Sequence, residues 1–219
     1  MNLPVIIVNF KTYESATGEN AVKMAKSFEN TAKKLKVSVA LCVQNCDLYA
    51  VSKAVLLPVF AQHVDGIEYG AHTGYVLPQS VKQNGAYGTL LNHAEHQISD
   101  DVLRTTLEKA KQAGLFTLVC ANTPQTAGKF FKYKPDLIAV EPPELIGGDI
   151  SVSKAKPDII TKAVKLVGTK KLIVGAGIKN GDDVRIAVKL GASGVLVASG
   201  VVQAPNPVKA LIDLAKGLL

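Results

Sequence analysis

Tryptophan is absent from the 219 residues, and aromatic side chains make up only 5% of them. A groove that stacks bases on aromatic faces while cations follow the phosphates needs both groups interleaved, so that kind of nucleic-acid channel is disfavoured despite a net charge of +7. Arginine is almost as scarce: Arg104 and Arg185 stand alone, and lysines scattered along helix-like segments carry the rest of the positive charge. That charge has three open readings, as a nucleic-acid surface, as a field that draws in a small anion, or as a solvated exterior. The three cysteines, Cys42, Cys46 and Cys120, are too few and odd in number for a disulfide scaffold. Cys42 and Cys46 have no second Cys or His pair at zinc spacing, so no metal site is expected. Apolar runs such as residues 3–8 and 195–198 fall far short of the roughly 20 residues of a membrane span. The N-terminal stretch shows no charged region, long apolar core and cleavage site in succession, and a cytoplasmic location is expected.

What is present is a regular alternation. Hydrophobic residues form 47% of the chain and charged residues 20%, the balance of a globular protein with a sizeable core. Short apolar runs at 3–9, 37–43, 58–62, 86–91, 115–120, 136–140, 171–174 and 194–197 read as buried strands. Between them lie stripes at helical spacing, such as Ala21, Ala25, Phe28, Ala32 and Leu35. Ser99 before two aspartates, and Asn206 before Pro207, are start signals for helices. Strands that alternate strictly with helices imply right-handed crossovers and a parallel sheet. Eight such units of about 27 residues, with no linker between them, predict an α/β fold closed as an eight-stranded parallel (βα)8 barrel, residues 1–219 forming a single domain. The absence of Gly-x-Gly-x-x-Gly after the first strand argues against a dinucleotide-binding sheet.

In such a barrel the active site lies at the C-terminal ends of the strands. That rule collects Asn9 and Lys11 after the first strand, His93 and Glu95 after the fourth, and Glu141 after the sixth. The turns Gly175-Ala176-Gly177 and Ala198-Ser199-Gly200, after the seventh and eighth strands, are small enough to present amide groups to a phosphate. Glu141 is followed by Pro142-Pro143 and, further on, by Gly147-Gly148, a stiff hinge and a permissive one for a closable lid. Taken singly, Lys11 reads as a surface lysine and His93 as a rim histidine, and His93 with His96 hints at a metal pair whose spacing of three does not suit the helical pattern. Together, a carboxylate, an imidazole, a lysine and a phosphate cradle suit proton transfer beside the carbonyl of a small phosphorylated substrate. The stretch from His63 to Pro78, with Gly66, Gly70 and Gly74, reads as a long ordered loop.

Five segments carry a resemblance over essentially the whole chain: Asn9-Phe10-Lys11, Asn92-His93-Ala94-Glu95, Val140 to Gly147, Gly175 to Ile178, and Ala198-Ser199-Gly200. They resemble the triosephosphate isomerase family, in its short archaeal form. The resemblance implies a TIM barrel that interconverts dihydroxyacetone phosphate and glyceraldehyde 3-phosphate through an enediolate, in glycolysis and gluconeogenesis, with no cofactor or metal. It implies Glu141 as the base, His93 as a neutral electrophile and Lys11 as the cation, with Glu95 supporting Lys11. Asn9, Phe10 and Lys11 would contact substrate, and amides around Ile146, Gly147, Gly177, Ala198 and Ser199 would hold its phosphate. It further implies a homo-oligomer, a tetramer built from dimers, in which the loop from His63 to Pro78, with Thr73 near its tip, enters a neighbouring subunit. Two places depart from the family pattern: Ala94 stands where serine is usual, and Gly148-Asp149 where Thr-Gly is usual. Two other functions compete. Another phosphate-binding barrel enzyme would share the last two turns but not need Asn9, Lys11, His93 and Glu141 together; a basic nucleic-acid-binding protein would bind with steep salt dependence.

Overall fold

The computed structural model describes residues 1–142, 153 and 156–219. In chain order the elements are β1 (Val5–Asn9), α1 (Gly18–Leu35), β2 (Ser38–Val43), α2 (Asn45–Ala54), β3 (Val59–Ala61) and α3 (Pro78–Gln83). Then come β4 (Gly88–Leu91), α4 (Asp100–Gln112), β5 (Phe116–Ala121), α5 (Pro124–Phe131), β6 (Leu137–Val140) and α6 (Pro157–Val167). β7 (Leu172–Val174), α7 (Gly181–Lys189), β8 (Gly194–Val197), α8 (Ser199–Val202) and α9 (Pro207–Lys216) complete the order. Each strand pairs in parallel with the next, and β8 returns to β1 with Val5 beside Gly194, closing the barrel.

Closure follows from how the apolar residues alternate. Side chains along a strand point to opposite faces, so a strand buried on both sides needs two apolar sets. Val5 and Ile7 of β1, Ala40 and Cys42 of β2, Phe60 of β3, Leu90 of β4, Leu118 and Cys120 of β5, Leu137 and Ala139 of β6, Ile173 of β7 and Leu196 of β8 fill the barrel. Their neighbours, among them Ile6, Val8, Leu41, Leu91, Val119, Ile138, Val140 and Val195, face outward and join Phe28, Leu103, Leu107, Ile160 and Leu211 from the helices in a second core. Within the strands, neighbouring backbones crowd closely at Gly194 and Gly88. A Cβ on Gly194 would lie 2.0 Å from the Val5 carbonyl oxygen, and one on Gly88 would lie 2.2 Å from that of Phe116.

The helix starts follow local chemistry. Ser99, Thr123, Asn180 and Asn206 each accept a hydrogen bond from an amide in the first turn of the helix they precede. α3 is the element the sequence conceals: six residues with only Pro78 and Val81 buried are too short to show a stripe. β4 starts two residues later than the apolar run suggests, at Gly88. The segment between β3 and α3 is a loop, and it is tied down: the Val76 amide donates to Asp65 Oδ2 at 2.6 Å, and Glu68 pairs with Lys109 of α4.

Candidate active site

The alternation that builds the barrel interior also selects what stands on its rim. One step of two beyond the last inward apolar residue lie Asn9 on β1, Gln62 after β3, Asn92 after β4, Glu141 after β6, Gly175 after β7 and Ala198 after β8. All are inward positions by strand parity.

Asn9 organises the first corner. Its Oδ1 accepts the Lys11 amide at 3.0 Å and the Gln62 Nε2 at 3.2 Å, and the same Gln62 nitrogen donates to the Lys11 carbonyl at 2.9 Å. These bonds hold Lys11 in the left-handed region, with φ 48°, which costs a non-glycine residue energy. The backbone so bent sends Lys11 Nζ to Glu95 Oε1 at 2.6 Å. With Glu95 57% exposed, this pair adds little to stability; its effect is to place the ammonium.

Asn92 does the same for the second corner. It too is left-handed, with φ 58°; its Nδ2 donates to the Cys120 carbonyl and its Oδ1 accepts the Ile98 amide, both at 3.0 Å. The turn thus clamped carries His93. The Glu95 amide donates to His93 Nδ1 at 3.2 Å, so that nitrogen is an acceptor and the ring's hydrogen sits on Nε2. Glu95 Oε2, at 3.6 Å from the same nitrogen, is too far to compete.

Glu141 faces that N–H. It is 5% exposed, its backbone amide donates to the Ala121 carbonyl at 3.0 Å, and its Oε2 lies 3.7 Å from His93 Nε2. Among the described residues this buried oxygen has no hydrogen-bond partner. Behind it, burial first and the Glu141 charge second push the Cys120 and Cys42 thiols upward, so both stay protonated. A buried carboxylate oxygen with no partner among the described residues, beside a ring N–H, is chemically able to accept a proton.

Asn9, Lys11, His93, Glu141, Gly177, Ala198 and Ser199 line one cleft with about 80 Å³ of solvent-filled space, a size for a molecule of a few carbons. Tyr13 and Lys179 also line it and were not signalled by the sequence pattern; nor was any role for Gln62 or for Asn92, the latter read only as part of a motif, although counting by two along β3 and β4 points to both. Phe10 is not in the cleft. It is the outward neighbour of Asn9, fully buried against Phe28 in the outer core with ring centroids 6.1 Å apart, and this corrects its expected contact with substrate. Ile146, Gly147, Gly148 and Asp149 lie outside the described residues. Among the described residues no three His, Cys, Asp or Glu side chains gather as a metal site, and no helix is long and apolar enough to cross a membrane. Beside the cleft, Asn45, Cys46, His63 and His96 border a second hollow of about 440 Å³ that shares Asn9, Lys11 and His93 with it.

A carboxylate and an imidazole meeting on the C-terminal rim of a closed (βα)8 barrel define an acid–base barrel enzyme. The profile of the triosephosphate isomerase family matches residues 4–216. The chain belongs to the triosephosphate isomerase family. It is 44% identical to the triosephosphate isomerase of Methanobacterium bryantii over 215 residues, 96% of this chain and 95% of the relative. With that of Saccharolobus solfataricus it shares 43% identity over 222 residues, spanning 100% of this chain and 98% of the relative. The crystal structure of triosephosphate isomerase from Bartonella henselae superposes with a TM-score of 0.72 at 18% identity, covering 98% of this chain and 97% of that one, a likeness of fold.

Proposed function

We infer that the protein is an isomerase that interconverts dihydroxyacetone phosphate and D-glyceraldehyde 3-phosphate, a step of glycolysis and gluconeogenesis in the cytoplasm. Glu141 takes the proton from the carbon beside the carbonyl, exchanges it with solvent, and delivers a proton to the neighbouring carbon. His93, neutral with its hydrogen on Nε2, polarises the carbonyl and passes the hydroxyl proton between the two oxygens of the enediolate. Lys11 offsets the negative charge that develops there, and Asn9 with Gln62 holds Lys11 in place. Family resemblance groups Ile146 and Gly147 with the amides of Gly177, Ala198 and Ser199 as the phosphate cradle. Ser199 and Gly200 open α8, where amides have no partner within the helix.

The observation that carries this reading is Glu141 Oε2, without a hydrogen-bond partner among the described residues, at 3.7 Å from a His93 nitrogen that bears hydrogen. The test is conversion of glyceraldehyde 3-phosphate by the purified protein beside Glu141→Asp and His93→Gln. Fast turnover that falls by orders of magnitude in both variants is expected; turnover that survives both refutes the roles.

The same reading includes self-association as a tetramer built from dimers. The loop from His63 to Pro78 exposes Tyr69 and Tyr75, 68% and 61% accessible, and the hollow beside Lys11 offers room for a loop tip such as Thr73 from a second copy. Light scattering gives the answer: a monomer at micromolar concentration would refute this part.

A further inference from the structure

The position beside Glu141 on the barrel rim is Gly175. Val140 and Val174 are paired across β6 and β7, and the Gly175 amide donates to the Val140 carbonyl at 3.0 Å, so Glu141 and Gly175 stand side by side at inward positions. A Cβ on Gly175 would lie 2.5 Å from Glu141 Cγ, 2.5 Å from Oε1 and 2.8 Å from Cδ. Carbon and oxygen need more than 3 Å, so one methyl group and the present Glu141 side chain cannot coexist.

The obstacle is wholly spatial. Unlike Gly177, with φ 70°, Gly175 is not among the left-handed glycines, so its backbone does not itself demand glycine. The nearest obstacle is not the framework: the three nearest atoms all belong to the Glu141 side chain, whereas at Gly194 and Gly88 the nearest is a backbone oxygen. A side chain can swing aside where a strand cannot. The fold therefore tolerates a Cβ at 175, and the carboxylate does not.

We propose that Gly175 is a positioning residue for catalysis: its missing side chain is the space in which the Glu141 carboxylate lies, and any larger residue there moves the base off the proton it must take. The inference rests on Glu141 being the base. A base displaced by about 1 Å from its working geometry loses on the order of 100-fold in rate.

The experiment is a double-mutant cycle on the full-length protein, with Gly175→Ala, Glu141→Asp and the pair, and with Glu141→Gln as a separate control. Gly175→Ala is expected to keep the melting temperature within a few degrees and to keep competitive inhibition by inorganic phosphate, while kcat falls on the order of 100-fold. In its background the shorter Asp fits beneath the new methyl group. Glu141→Asp should then cost at least tenfold less than in the parent, a coupling that a merely structural glycine would not give. Gly175→Ala activity within threefold of the parent, or strictly multiplicative losses in the cycle, overturns the proposal. A variant that fails to fold overturns it too, because something other than Glu141 would then be giving way. If Glu141→Gln retains activity, the base assignment itself is wrong, an outcome distinct from a harmless methyl group at 175.

Discussion

Asn92 carries three separable loads, and replacing it in steps weighs them. It occupies φ 58°, donates to the Cys120 carbonyl and accepts from the Ile98 amide, and it is 6% exposed. Removing a side chain that satisfies buried groups costs about 1–2 kcal/mol for each bond lost, so Asn92→Gly loses about 2–4 kcal/mol. Asn92→Ala loses the same bonds and adds the left-handed penalty of about 1 kcal/mol that glycine avoids, giving about 3–5 kcal/mol. Asn92→Asp keeps the acceptor for Ile98 but turns a carboxylate oxygen toward the Cys120 carbonyl, so it does not recover the parent's stability. For a chain of this length that corresponds to a fall in melting temperature on the order of 10 °C for Ala. Because the turn from residue 92 to 98 carries His93, kcat should fall in the same order as stability. The assay is thermal unfolding at one fixed protein concentration, beside steady-state kinetics at 25 °C. Alanine no worse than glycine would refute the backbone argument, and a loss below about 1 kcal/mol in both would refute the clamp.

Other outcomes follow from single features. Phe10→Ala removes a fully buried ring from the outer core and should cost about 3–5 kcal/mol of stability with KM little changed; a large rise in KM with an intact melting temperature would return Phe10 to the substrate. Of the three thiols, exposed Cys46 should react first with a thiol reagent in the native protein, and buried Cys42 and Cys120, held protonated, only after unfolding; early labelling of all three would contradict their burial. His63 is lowered from its ordinary 6.5 by burial and by His96, whose ring centroid is 4.4 Å away, with Asp65 pulling the other way. The unfolded chain then binds this proton more readily than the folded one, so stability is full above pH 6.5 and declines below it until the folded ring protonates. His63→Gln should flatten the profile below pH 6.5, and an unchanged profile would show that this pair is not its source.

The barrel was legible in the sequence because its signal is redundant: eight apolar runs, most of them followed by a helical stripe, leave few other ways to bury both strand faces. Capping residues such as Ser99 and Asn206 marked helix starts because they act through neighbours three residues away. What escaped notice acts over long separations. Gln62 reaches Asn9 and Lys11 across more than fifty residues, and Asn92 is held by Cys120 twenty-eight residues on, and no local pattern records either contact. Phe10 was misplaced for a related reason: it sits between Asn9 and Lys11 in the motif, and only strand parity separates a rim residue from its outward neighbour. Gly175 was read as part of a turn, whereas its consequence appears only when β6 and β7 are paired.

The account turns on Glu141 moving a proton, and running the reaction in heavy water tests that directly. Glyceraldehyde 3-phosphate converted by the parent protein in D2O should give dihydroxyacetone phosphate carrying solvent deuterium on the carbon that received the proton, and Glu141→Gln should convert it orders of magnitude more slowly. Rapid isomerisation by Glu141→Gln, or a parent product free of deuterium, would contradict proton transfer through this carboxylate.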